Sequence, residues 1–143
     1  MNNADKLARQ VGERMLAKDA STRFFGVVLE EIRAGYARMA MDVTADMLNG
    51  LELCHGGFTF KLADDAFAYA CNSYDLATVG THCTISYPAA ARLGDRLTAE
   101  AREIHRRGRS GIYDVTVTNQ HGEAVALFRG QCRVVAGRVI EGT

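Results

Sequence analysis

The chain has 143 residues, 48% hydrophobic and 24% charged, with Lys+Arg and Asp+Glu equal at 17 each. That length suits one domain, residues 1–143, burying roughly two-thirds of its unfolded surface. A formal net charge of zero excludes bulk electrostatic attraction to nucleic acid or to an anionic membrane.

The opening residues, MNNADKLARQ, are polar and of mixed charge, and no window approaches roughly 18 consecutive apolar residues. Neither an export signal nor a membrane span is therefore expected. The cysteines at 54, 71, 83 and 132 form no C-x-x-C pair and no metal-type spacing. They point to free thiols in a reducing cytoplasm, with no metal and no other cofactor. His82 and His105 also lack ligand-like spacing to a carboxylate or thiol.

In chain order, Leu7, Val11 and Met15 fall at helical spacing and predict an amphipathic helix over Ala4–Lys18, ended by the Asp19-Ala20-Ser21-Thr22 cluster. Two strands follow, Gly26–Ile32 and Tyr36–Val43, joined at Arg33-Ala34-Gly35. In the second, Ala37, Met39, Met41 and Val43 alternate with Tyr36, Arg38, Ala40 and Asp42, which predicts a half-buried strand. The stretch Asn49–Cys71 comes next, with a turn signal at Asn49-Gly50, then Cys54-His55-Gly56-Gly57, then about four turns of helix from Phe58 onward. Three Thr/Val/Ile/Tyr-rich strands are expected at Val79–Tyr87, Arg96–His105 and Gly111–Asn119, and a last one at Ala124–Val135 after the His121-Gly122 turn. Strand and helix do not alternate along the chain. The order predicts an α+β domain, an antiparallel sheet curled around one buried helix.

Angular arithmetic at about 100° per residue separates the two carboxylates of that helix. Ala63, Phe67 and Ala70 cluster in one direction, and Asp64 falls at the border of the apolar stripe. Asp65 falls with Lys61 and Asn72 on the most polar face, where it is expected to be a solvated charge paired with Lys61 four residues earlier. Asp64 is the candidate catalytic carboxylate. The Gly pair places unpaired N–H groups and the positive end of the helix dipole where an oxyanion would be stabilised. His55 and Asp64, nine residues apart, are separated by about 13 Å along a helix and half a turn around it. Both can act on one small substrate only if a two-fold related copy supplies the second group.

These residues carry a family resemblance. Asn49-Gly50, Cys54-His55-Gly56-Gly57, Phe60, Leu62-Ala63-Asp64 and Ala66–Ser73 stand at the offsets of the hotdog-fold acyl-CoA thioesterases of the phenylacetic acid degradation (PaaI) type. Leu93–Leu97, Gly111–Asp114, Asn119-Gln120 and Val125–Gly130 extend the likeness over nearly the whole chain. The resemblance implies a hotdog fold and hydrolysis of an acyl-CoA thioester, with an aryl-acetyl group the family-based expectation. It implies that Gly56 N–H, with Gly57 and His55 beside it, polarises the carbonyl. Asp64 of a partner subunit would activate water or attack directly. Asn49 would orient groups near the same centre, and Thr81 would supply a hydroxyl on the strand after the helix. A homodimer, or two such dimers as a tetramer, is implied as well. The chain departs from the family pattern where Pro88 directly follows Tyr87 instead of standing about three residues after it.

Several neighbouring readings compete. Cys54 beside His55 invites a Cys–His nucleophile, but adjacent residues rarely orient that way, and Cys54 is expected to be a small buried side chain. Tyr69 and Tyr74 are expected to pack, with an aryl pocket the alternative. Arg107 and Arg109 lie in an expected hairpin turn and are either phosphate contacts for coenzyme A or solvated charges. A hydratase or dehydratase on the same fold would need a His and a carboxylate positioned across the acyl chain, and the Asp64 offset argues against it. A non-catalytic acyl-CoA-binding module would be expected to lack Asp64.

Overall fold

The computed structural model describes residues 1–140. Helix α1 (Asn3–Lys18) begins where Asn2 Oδ1 accepts from Asp5 N at 2.8 Å, and its apolar face buries Ala8 and Val11. It lies close on strand β1 (Val28–Arg33): a Cβ on Gly12 would stand 2.9 Å from Leu29 Cδ2. The Asp19–Thr22 cluster does more than end α1. Asp19 caps a second, short helix, α2 (Ala20–Phe24), by accepting from Thr22 N at 3.1 Å. The expected stop is thus a junction, because a residue that breaks one helix can cap the next.

Strand β2 (Tyr36–Asp42) returns antiparallel to β1 through the Arg33–Gly35 turn, in which Gly35 adopts φ +73. β2 is less half-buried than its alternation predicts, since Tyr36 and Ala40 are buried along with Ala37, Met39 and Met41. The outward Tyr36 ring is covered by the guanidinium of Arg33 at 3.9 Å and that of Arg102 at 4.9 Å. Neighbouring strands bury it, a contribution that periodicity within one strand does not contain.

The long helix α3 (Gly56–Asn72) is followed by β3 (Thr78–Ser86), β4 (Arg96–Arg107), β5 (Ser110–Thr118) and β6 (Ala124–Val134). The six strands form one sheet in the order β1-β2-β4-β5-β6-β3, and all neighbours are antiparallel. α3 packs across the sheet and touches every strand. Phe67 sits at the centre of the contact, with ring centroids 5.9 Å from Tyr113 and 5.6 Å from Phe128. Leu62, Ala63, Ala66 and Ala70 are fully buried around it, so small side chains let the helix approach while the aromatics fill the volume.

The two sheet edges differ. α1 packs against β1, whereas β3 presents mostly exposed residues along its length. β3 carries an irregularity between Gly80 and His82 and runs back alongside α3. At one end, Asn72 Oδ1 accepts from Thr78 N at 2.9 Å. At the other, Tyr87, one residue past the strand, reaches Gly56.

Candidate active site at the head of the central helix

The approach to α3 is held from two sides. Cys54 N donates to Ala91 O at 2.8 Å, and His55 N donates to Met47 O at 2.7 Å. His55 is the N-cap, with extended backbone, and its Nδ1 accepts from Gly57 N at 2.9 Å. Phe58 N donates to His55 O at 3.0 Å. The donors of His55, Gly57 and Phe58 are therefore committed. Gly56 N–H has no acceptor among the described residues and is the one free to hold a partly negative oxygen. Of the three donors raised by the sequence, geometry leaves Gly56.

Gly56 is also where another side chain closes in. A Cβ there would lie 3.1 Å from Tyr87 Cζ, and the Tyr87 hydroxyl donates to the Gly56 carbonyl at 3.0 Å. The Tyr87 ring thus fixes the first residue of the helix from outside. Sequence reasoning missed this role because the two residues lie 31 positions apart. The available signal was the aromatic immediately before Pro88, where the chain departs from the family spacing.

Asn49 is exposed, and its Oδ1 accepts from Leu51 N at 2.9 Å and Leu53 N at 3.2 Å. It orders the turn with its oxygen and keeps its NH₂ group for other contacts. Cys54 is buried, and desolvation raises its thiol above the ordinary value, which disfavours the thiolate a nucleophile needs.

The carboxylates sort differently from the expectation. Asp65 is the buried one, and both its oxygens lie 2.6 Å from Lys61 Nζ. Burial raises its pKa to about 6 against the opposing effect of Lys61. The expectation of a solvated Asp65 is overturned because the N-terminal helices cover that side. Asp19, between α1 and α2, accepts from the Tyr69 hydroxyl at 3.1 Å and acts electrostatically on Asp65. Angular arithmetic locates a residue around a helix but says nothing of what packs there. Asp64 is half-buried, its pKa is raised by desolvation with only the charge of Lys61 opposing, and it has no hydrogen-bond partner among the described residues. Its charge reaches Cys83 on β3 and Cys71 on its own helix. Asp64 is the unpaired carboxylate of the two, and a carboxyl raised by burial is the kind of group that functional sites use.

With α3 beginning at Gly56, Asp64 lies eight residues on, about 12 Å along the axis. One chain therefore does not bring Gly56 N–H and Asp64 to the same small substrate. Thr81 is farther still from Gly56: it lies six residues from Tyr87 on β3, about 20 Å of extended chain. Its hydroxyl donates to Gln131 O at 3.2 Å. It shares an open groove of about 800 Å³ with His105, Arg107, Gln131 and Arg133. Arg107 ends β4, Gly108 turns at φ +60, and Arg109 leads into β5, so the basic cluster is the expected hairpin. Tyr69 is fully buried, and the Tyr74 hydroxyl donates to Glu103 at 2.8 Å; both pack, and neither opens an aryl pocket.

One antiparallel sheet with a long helix packed across it carries a free N–H at the helix head and an unpaired carboxylate two turns on. Residues 51–126 match the model of the thioesterase superfamily. The chain belongs to that superfamily, and within it to the PaaI-type hotdog acyl-CoA thioesterases. It is 43% identical over 132 residues to the acyl-coenzyme A thioesterase PaaI of Escherichia coli (strain K12), covering 92% of this chain and 94% of that one. It superposes on the structure of E. coli PaaI, from the phenylacetic acid degradation operon, with a TM-score of 0.94 at 42% identity over 95% and 99% of the two chains. A Streptococcus mutans protein, smu.793, bound to acetyl-CoA, aligns with a TM-score of 0.75 at 28% identity over 78% of this chain and 90% of that one. Among the described residues no helix is long and apolar enough to cross a membrane.

Proposed function

We propose that this thioesterase hydrolyses aryl-acyl CoA thioesters, phenylacetyl or ring-hydroxylated phenylacetyl, to the free acid and CoA. The observation that carries the site assignment is the unshared Gly56 N–H at the head of α3. It donates to the thioester carbonyl and strengthens its hold as the oxyanion develops, an effect of about 3 kcal/mol for one such donor. Asp64 of a partner subunit takes a proton from the attacking water, for which a carboxylate raised by burial is suited. Direct attack by Asp64 to give an anhydride starts from the same group, and incorporation of labelled solvent oxygen into the protein in a single turnover separates the routes. Asn49 NH₂ orients the water or the acyl carbonyl. His55 holds Gly57 N–H and so keeps the helix head in register.

The chain acts as one catalytic domain and as a homodimer, or a dimer of such dimers. The uncovered β3 edge supports this reading, since an exposed edge strand invites pairing and a two-fold axis there would make the helices antiparallel. Arg107 and Arg109, in the β4–β5 turn, are the groups offered to the CoA phosphates, and Thr81 offers a hydroxyl on β3 to the bound thioester. The E. coli operon context and the acetyl-CoA bound to the S. mutans relative support the substrate class. Four free cysteines suit a cytoplasmic site of action.

The test is release of free CoA thiol from phenylacetyl-CoA, its hydroxylated forms and straight-chain acyl-CoAs. Faster turnover of the aryl set is expected, and Asp64→Asn is expected to lower kcat by roughly 10²–10⁴-fold while ligand still binds. An Asp64→Asn variant with wild-type turnover, or a fully active monomer, would refute the assignment.

A further inference from the structure

The hydrolytic site makes no use of the far end of α3. There Cys71, in the last turn of the helix, and Cys132, on β6, line one small cavity of about 10 Å³. The strand register clears space around the second thiol. Cys132 is paired with Gly80 on β3 and with Gly111 on β5, so neither neighbouring strand sets a side chain beside it. Its sulfur occupies that room: a Cβ on Gly111 would stand 3.0 Å from Cys132 Sγ. Cys71 closes the space from the helix side, its Sγ 3.5 Å from Ala68 O and 3.8 Å from Asn72 Nδ2.

Both residues are buried, and burial by itself keeps a thiol inert. The two are not equivalent. Hydrogen bonding with the Cys71 thiol holds Cys132 below the ordinary thiol value despite burial, and the Gly111 N–H and the charge of Arg106 act in the same direction. Glu103 opposes them, but the Tyr74 and Tyr113 hydroxyls already share its carboxylate at 2.8 and 3.0 Å. Cys71 is raised, by the hydrogen bonding with Cys132 and then by burial. Cys132 is therefore the attacking sulfur and Cys71 the thiol beside it. Cys132 also lines the open groove at the β4–β5 turn, which gives a small reagent a route to the pair. The cavity between the thiols has room for a guest of about one or two heavy atoms.

We propose that Cys71 and Cys132 are a modification site for hydrogen peroxide, which closes a disulfide between α3 and β6. The Cys132 sulfur attacks one peroxide oxygen. An S–O bond forms, the O–O bond breaks, and the Cys132 proton leaves with the other oxygen as water. The Cys71 sulfur then attacks that of Cys132. The S–S bond forms, the S–O bond breaks, and the hydroxyl takes the Cys71 proton and leaves as a second water. Both sulfurs are oxidised and the peroxide is reduced. A cavity of this size excludes glutathione, so the product is the internal disulfide and not a mixed one. The cross-link ties the end of the catalytic helix to the middle of the sheet.

The experiment treats the reduced protein with stoichiometric hydrogen peroxide, with and without glutathione, and reads intact mass, a peptide map and the melting point. Loss of two of the four free thiols is expected. The mass should fall by about 2 Da, residues 71 and 132 should appear in one linked peptide pair, and dithiothreitol should reverse both. Closing a loop of about 60 residues should raise Tm by about 5–15 °C. Cys71→Ala should lose the cross-link and the Tm shift, and should leave Cys132 as a sulfenic acid that dimedone labels. Should that variant fail to fold, the wild-type peptide map decides alone. Oxidation of Cys83, the more exposed thiol, with Cys71 and Cys132 still free would overturn the proposal. So would a glutathione adduct on either member of the pair, or an equal Tm rise in Cys71→Ala. These readouts are independent of thioester turnover, so their failure leaves the hydrolytic reading standing.

Discussion

Replacing Gly130 by alanine tests the central packing of the fold. Gly130 lies in β6 beneath the Phe67 ring, and a Cβ there would stand 2.7 Å from Cζ and 2.8 Å from each of Cε1 and Cε2. Ordinary carbon contacts need about 3.5–4.0 Å, so the ring must retreat by about 1 Å. It has little room to do so: Phe67 is 1% exposed, Tyr113 and Phe128 flank it, and a Cβ at Gly80 on the neighbouring strand would already meet its Cε2 at 3.0 Å. Overpacking of this kind costs about 1–3 kcal/mol. For a chain of this length each kcal/mol moves the melting point by about 3–4 °C, so Tm should fall by about 3–12 °C. Thermal unfolding followed by circular dichroism, at one protein concentration for all variants, reads the shift. Combining Gly130→Ala with Phe67→Leu should recover part of the loss through a coupling of about 1 kcal/mol. A Gly130→Ala melting point equal to wild type, or an equal penalty in the Phe67→Leu background, would refute a ring pressed on the strand.

Three further outcomes are expected. Asp65, held up to about 6 by burial, binds its proton more tightly folded than unfolded. Its contribution to stability is therefore full below about pH 4 and lost as pH rises through about 6, by at most about 3 kcal/mol. The difference in urea midpoint between wild type and Asp65→Asn across pH 4–7 measures it, and a pH-independent difference would count against it. Tyr87→Phe removes the hydroxyl that holds the Gly56 carbonyl and should lower kcat by about 2- to 10-fold with little change in KM, the range of one net hydrogen bond; an unchanged kcat would remove Tyr87 from the site. Arg107→Gln with Arg109→Gln should raise KM for phenylacetyl-CoA about 10-fold and leave phenylacetyl-pantetheine unaffected. Equal change for both substrates would show that the turn does not read the phosphates.

The features legible in the sequence were local. Alternation in β2, Thr/Val/Ile runs in β3 to β6, the Gly pair before an Ala-rich stretch and the Lys61–Asp65 spacing each depend on residues within one element. All of those elements stand where the pattern put them, and the motif offsets carried the family. What lies between elements came from packing of the whole chain. That packing carried β3 past β4, β5 and β6 to the far edge, covered the nominally polar face of α3 with the N-terminal helices, and so buried Asp65 while leaving Asp64 unpaired. It spent Gly57 N–H on His55, brought Tyr87 onto Gly56, and gathered Phe24, Phe25 and Phe58 into one wall. The division has a physical cause. Backbone periodicity fixes which way a side chain leaves its own element, within a few residues. What that side chain then meets depends on strand order and on packing across dozens of residues, and no local pattern encodes either.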